Sequence, residues 1–183
     1  MHKSILFGVG IAGLFLFLNR KKLETRVKNI ISRAAFILTH KNDVIKANTG
    51  THLFPSVTMA QAILESNNGN SGLTRKYNNF FGIKANKHWV GKKVIVPTRE
   101  VFNGKSVIIK QPFRVYNSAI DSFKDHAEFL ITNSNYTKAG VFQAITPEQQ
   151  AIALQKARYA TDPKYASLLI SLINKYNLKS LDS

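Results

Sequence analysis

Residues Val94-Ile95-Val96-Pro97-Thr98-Arg99-Glu100-Val101-Phe102-Asn103-Gly104-Lys105-Ser106-Val107-Ile108-Ile109 decide the fold class of this chain. Short β-prone runs at 94–96, 101–102 and 107–109 are broken by Asn103-Gly104, a dipeptide suited to the positive-φ corner of a two-residue hairpin. With that dipeptide at the turn, Phe102 faces Lys105 and Glu100 faces Val107. Outside this region the apolar repeat changes to the helical one. Val57, Ala60, Ile63 and Leu64 predict a helix over about 56–66, stopped by Asn67-Asn68-Gly69. Residues 119–131 read as another helix. Thr146-Pro147-Glu148-Gln149 reads as a capping box opening a helix to about Lys156, and Asp162-Pro163 opens a last one to about Tyr176. Helices enclosing one small β-hairpin lobe give an α+β, mostly helical chain.

Upstream, residues 4–18 carry no charge and end at Asn19-Arg20-Lys21-Lys22. A cleaved leader ends in small residues, whereas this run ends in cations, so it reads as an N-terminal membrane-anchor helix. At 1.5 Å per residue it spans only ~22 Å against a hydrocarbon core of ~30 Å, which leaves both thinning of the bilayer and shallow insertion open. The cations lie on its C-terminal side and favour a cytoplasmic domain, so its orientation is open too. Gly8, Gly10 and Gly13 match the dinucleotide fingerprint in letters, but no βαβ context surrounds them. Leu23, Val27, Ile30, Ile31, Ala34, Ile37 and Leu38 predict an amphipathic helix directly after the anchor. Residues 1–22 are therefore expected to form the anchor and 23–183 the functional domain.

The 183 residues carry 26 Lys and Arg against 10 Asp and Glu, and 44% are apolar. That apolar fraction excludes global disorder. The absence of Cys excludes disulfides, thiolate nucleophiles and Cys-ligated metals. A net charge of +16 attracts polyanions: nucleic acid, anionic lipid or acidic wall polymers.

Few carboxylates remain for acid–base chemistry. Glu65, in the last turn of its helix beside Ile63 and Leu64, meets the negative end of the helix dipole and partial desolvation, and both raise a carboxyl pKa. Such a group suits proton donation to a glycosidic oxygen, usually with a second carboxylate across the bond; Glu100 on the hairpin is the candidate partner. Asp121, Asp125 and Glu128 share a helical face, which reads as a solvated stripe rather than a cation site. The five His show no zinc spacing, and no Ser-His-Asp triad can be nominated. Most of Tyr77, Phe80, Phe81, Trp89, Phe113 and Tyr116 are expected in the core, with Trp89 and Tyr116 the candidates for stacking on sugars.

Five ordered blocks carry a resemblance: Ala60-Gln61-Ala62-Ile63-Leu64-Glu65-Ser66; Asn78-Asn79-Phe80-Phe81-Gly82-Ile83-Lys84; Thr98-Arg99-Glu100; Phe113-Arg114-Val115-Tyr116; and Tyr159-Ala160-Thr161-Asp162-Pro163-Lys164-Tyr165-Ala166. Together they resemble the β-N-acetylglucosaminidase family of peptidoglycan hydrolases, which includes flagellar muralytic domains and autolysins. The resemblance implies a lysozyme-like fold, with Glu65 as general acid and Glu100 as second carboxylate. It also implies Tyr159, Asn79 and Phe80 as groove residues, and Asp162 as a cap of the last helix. Asn67-Asn68, Arg158 and Leu168 depart from the family pattern and imply an altered binding preference.

The expectation is a membrane-anchored hydrolase of the β-1,4 bond after N-acetylglucosamine in peptidoglycan glycan strands, working without metal or cofactor. It is expected to face the periplasm or cell wall, or to be a membrane-associated component of a phage particle. Anionic wall polymers are a further expected partner, and nucleic acid is not expected. The alternatives are a muramidase, and a non-catalytic module binding cell wall or nucleic acid.

Overall fold

The structure, a computed structural model, describes residues 7–102 and 105–183, and the side chains among them except those of 7–19, 99–102 and 105. By internal contact the chain divides into two units, the first ending at Ala35 and the second running Phe36–Ser183. Helix α1 (Phe7–Asn48) contributes to both. The expected anchor at residues 4–18 lies outside the residues whose side chains are described. Among the described residues no helix is long and apolar enough to cross a membrane.

Residues 23–40 are helical, but their apolar stripe does not form the expected buried face. Leu23, Val27, Ile30, Ile31 and Leu38 are exposed, whereas α1 supplies Phe36, Val44 and Ala47 to the core. Among the described residues the first unit holds only α1, so no second element within it covers the stripe.

The second unit is organised around α2 (Pro55–Glu65), in which Ser56 through Ile63 are all buried. An all-round buried helix is a central one. It packs against α6 (Pro147–Lys156), α7 (Tyr165–Lys175) and the 3-10 turn at Leu178–Leu181. Two polar clamps fix its entry. Asp182 accepts from Ser56 N and Ser56 Oγ at 2.8 and 2.7 Å. Fully buried Gln150 on α6 accepts from Phe54 N at 2.8 Å and donates to the carbonyls of His52 and Val141, both at 3.0 Å. Its exit is fixed by Asn67, Asn68 and Gly69, three consecutive residues at positive φ. There Ser66 Oγ accepts from Gly69 N at 2.7 Å.

The hairpin has the expected register and is longer than expected. β1 (Lys93–Phe102) and β2 (Lys105–Arg114) pair antiparallel, with Phe102 opposite Lys105 and Glu100 opposite Val107. Asn103-Gly104, the expected turn, lies outside the described residues. Pro97 does not interrupt β1, because a two-stranded ribbon consists of edges and a missing N–H can face solvent.

The remaining helices are α3 (Gly72–Tyr77), α4 (Ala119–Thr132) and α5 (Ser134–Ala139). The capping box expected at α6 is altered. Thr146 Oγ1 accepts from Gln149 N, but Gln149 Oε1 reaches back to Ile145 N. Asp162 caps the turn before α7 rather than the helix itself, accepting from Lys164 N at 2.8 Å.

Candidate active site

Glu65 is the last residue of α2, so the buried helix carries a carboxyl to its own exposed end. The residue keeps a solvent-accessible edge, as a proton donor to an incoming ligand must. The protein around it still desolvates the carboxyl and holds its pKa above the usual carboxylate range. Acting against this, Tyr165 at the start of α7 donates its hydroxyl to Glu65 Oε1 at 3.1 Å and stabilises the ionised form.

Tyr165 is itself anchored. Buried Gln61, one turn before Glu65 on α2, donates Nε2 to the Tyr165 hydroxyl at 3.1 Å. Burial and the nearby Glu65 push the Tyr165 pKa up, so this side chain remains a phenol and a hydrogen-bond donor. Tyr159 lies nearly parallel to the Tyr165 ring, with centroids 5.6 Å apart. The Tyr159 hydroxyl is hydrogen-bonded to His126 Nε2 at 3.1 Å. His126 is fully buried, stacked on Phe81 at 3.8 Å, and its pKa is pushed down to about 3 by desolvation, so it is neutral. His126, Tyr159, Tyr165 and Glu65 thus form a row, hydrogen-bonded at each end and joined in the middle by near-parallel rings, with Gln61 bonded to Tyr165.

The structure therefore brings Glu65 and Tyr159 together through Tyr165. The four other residues expected to contact substrate, Asn79, Phe80, Tyr116 and Trp89, are each engaged with the protein itself. Asn79 is 1% exposed; its amide donates to the carbonyls of Ile83 and Arg114 and accepts from Ile83 N. With its polar atoms so engaged, it ties the 79–83 loop to the end of β2. Phe80 is 4% exposed and packs among Phe36, His40 and Phe123, so it is core. Tyr116 is buried and donates to Asp125 Oδ2 at 2.6 Å, where Arg114 also binds at 2.7 Å. That engagement of Asp125, together with the pairing of Asp121 to Ser118, takes these carboxylates out of any shared cation site. Trp89 is half-buried, donates Nε1 to Lys92 O at 3.0 Å and carries the Arg114 guanidinium 4.4 Å over its ring. Trp89 and Tyr116 therefore brace the hairpin base.

Glu100 lies on β1, where the two-residue repeat puts position 100 in phase with Val94, Val96 and Thr98, the more sheltered positions of that strand. Its side chain is outside the described residues.

Tyr165 and Gln61 had no assigned role in the sequence. Gln61 had one usable signal: four residues before Glu65, it shares that residue's helix face. Tyr165 lies 100 residues from Glu65, and no local periodicity links them. Tyr165→Phe is expected to cut turnover about tenfold and cost about 1–2 kcal/mol of stability, since it leaves buried Gln61 without its acceptor. Loss of the bond that favours ionised Glu65 raises that pKa further, so the alkaline limb of the rate profile should move to higher pH. A pH–rate profile of the variant checks the sign.

Exo-glucosaminidase LytG of Bacillus subtilis is 41% identical over 134 residues, covering 72% of this chain and 47% of that protein. A probable N-acetylmuramidase of Lactococcus lactis subsp. cremoris is 46% identical over 136 residues, covering 71% of this chain and 30% of that protein. This chain thus spans about half or less of the curated relatives it matches. Among solved structures, the catalytic domain of the autolysin Auto from Listeria monocytogenes superposes with a TM-score of 0.74 at 36% identity, covering 82% of this chain and 88% of that one. The family model described as mannosyl-glycoprotein endo-beta-N-acetylglucosaminidase matches residues 41–178, a span holding Glu65, Tyr165 and the whole hairpin, and the chain belongs to this glucosaminidase family.

Proposed function

We propose that this chain is a peptidoglycan glycosidase that hydrolyses the β-1,4 bond after N-acetylglucosamine. The supporting observation is Glu65: a carboxyl with raised pKa, held by Tyr165 at the accessible end of a buried helix. Protonated Glu65 gives its hydrogen to the glycosidic oxygen as the bond to the anomeric carbon breaks, and water adds its oxygen to that carbon. Glu100 takes a proton from the water, or it steadies the positive charge at the sugar ring while ionised Glu65 takes that proton back. Tyr159 lies beside the donor, through Tyr165, and is the residue assigned to hold the sugar there. Glu100→Gln is expected to lose less activity than loss of the acid, because the acetyl group of the substrate can take over the attack on the anomeric carbon.

Residues 1–22 act as a membrane tether on this reading and 23–183 as the working domain, facing the cell wall, with the excess of cations favouring anionic wall polymers. Mass spectrometry of fragments released from purified sacculi tests the bond: new reducing ends at N-acetylglucosamine support the proposal. Reducing ends at N-acetylmuramic acid support the second reading, a muramidase, which the similarity to the Lactococcus protein favours.

A further inference from the structure

The first unit has a surface that hydrolysis does not use. Within α1, Leu23, Val27, Ile30 and Ile31 are 62%, 46%, 47% and 63% exposed. Their spacing of four, three and one residues puts them on one face of a helix, with exposed Ala34 continuing it. Lys21, Lys22, Arg26 and Lys28 belong to the same segment, and its single acid, Glu24, is paired with Arg20 at 3.0 Å. Apolar residues along one side and cations around the rest are the composition of a helix that lies in a bilayer interface. The segment also follows directly on the uncharged run 4–18, which is too short to span easily.

We propose that residues 20–34 form an in-plane membrane helix that docks on an anionic lipid surface, with Leu23, Val27, Ile30 and Ile31 among the acyl chains and Lys21, Lys22, Arg26 and Lys28 at the headgroups. A second copy of the chain is the poorer occupant, because pairing the stripes would bring two sets of cations together. The inference deepens the tether reading by naming the lipid class and a second point of attachment.

Flotation of the full chain with vesicles tests it. Binding should be at least ~10-fold tighter to phosphatidylcholine vesicles containing phosphatidylglycerol than to phosphatidylcholine alone, and the difference should shrink in high salt. Because the chain has no cysteine, single labels can be placed at will. Labels at Leu23→Cys and Ile30→Cys should be quenched by lipid-borne nitroxide, and labels at Thr25→Cys and Asn29→Cys should not. Equal quenching at the four positions overturns the in-plane helix. A vesicle-free dimer that cross-links through position 30 also overturns it and makes a second copy the occupant. A Leu14→Asp/Leu16→Asp background separates the two readings. Flotation that survives there with the alternating label pattern upholds the in-plane helix and shows that it attaches without the run 4–18. A flat label pattern in the native chain, with flotation lost in that background, upholds the tether and refutes the in-plane helix.

Discussion

Glu65→Gln should slow release of soluble fragments from purified sacculi by about 10³-fold or more while leaving the fold intact. The amide keeps the size of the side chain and can still accept from the Tyr165 hydroxyl, so only the transferable proton is lost. Turnover in the native protein should fall as pH rises through the folded-state pKa of Glu65, which lies above the ordinary 4.5 because the carboxyl is desolvated. The same shift makes a stability statement of the same sign. A raised folded pKa means that the stabilisation from protonated Glu65 is fully present below the unfolded pKa and is lost as pH rises through the folded one. At neutral pH, Glu65→Gln should therefore unfold at the same temperature as the native chain or a higher one, and the difference should vanish at acid pH. Thermal unfolding across pH, run beside the sacculus assay, checks both signs. Retained lysis would remove Glu65 from the chemistry. Lost lysis with a lowered unfolding temperature at neutral pH would mean that the residue matters for folding instead.

The parts of this molecule legible in its sequence are those written in local chemistry. Asn103-Gly104 predicts the strand register from Phe102 opposite Lys105 onward, and Asn67-Asn68-Gly69 marks the end of α2 because these residues tolerate positive φ. The six-residue helices α3 and α5 left no usable apolar period, since a helix that short completes fewer than two turns. Their signals were the caps alone: Ser71 and Asn133 at the starts, Asn78 and Gly140 in left-handed conformation at the ends. At the site, Glu65 was readable from its place at a helix terminus. Which groups engage each of the other expected site residues was not readable, because that depends on the partners the tertiary fold supplies. Asn79 meets the carbonyls of Ile83 and Arg114, Phe80 meets the rings of α1 and α4, and Tyr116 meets Asp125. The stripe at 23–31 shows the converse: an amphipathic period predicts a face needing cover, and says nothing of whether the chain itself provides it.

Positioning of Glu65 also depends on a residue with no part in the chemistry. Gln150→Met replaces a fully buried amide with an apolar side chain of similar length, and should cost about 3–5 kcal/mol. Phe54 N loses its acceptor, and the carbonyls of His52 and Val141 lose their donor, the Val141 bond lying in the interior where solvent cannot replace it. For a chain of this size the loss corresponds to a fall of about 10 °C in unfolding temperature. In urea the midpoint should drop while the slope stays constant, as expected if the native state alone is damaged. These bonds hold the segment that feeds α2, and α2 ends in Glu65, so the surviving folded fraction should also hydrolyse more slowly. The contrast with Glu65→Gln is the test of how the parts divide. One substitution removes the proton and leaves the helix standing. The other keeps the proton and loosens the helix, so its activity loss should diminish on cooling, whereas that of Glu65→Gln should not.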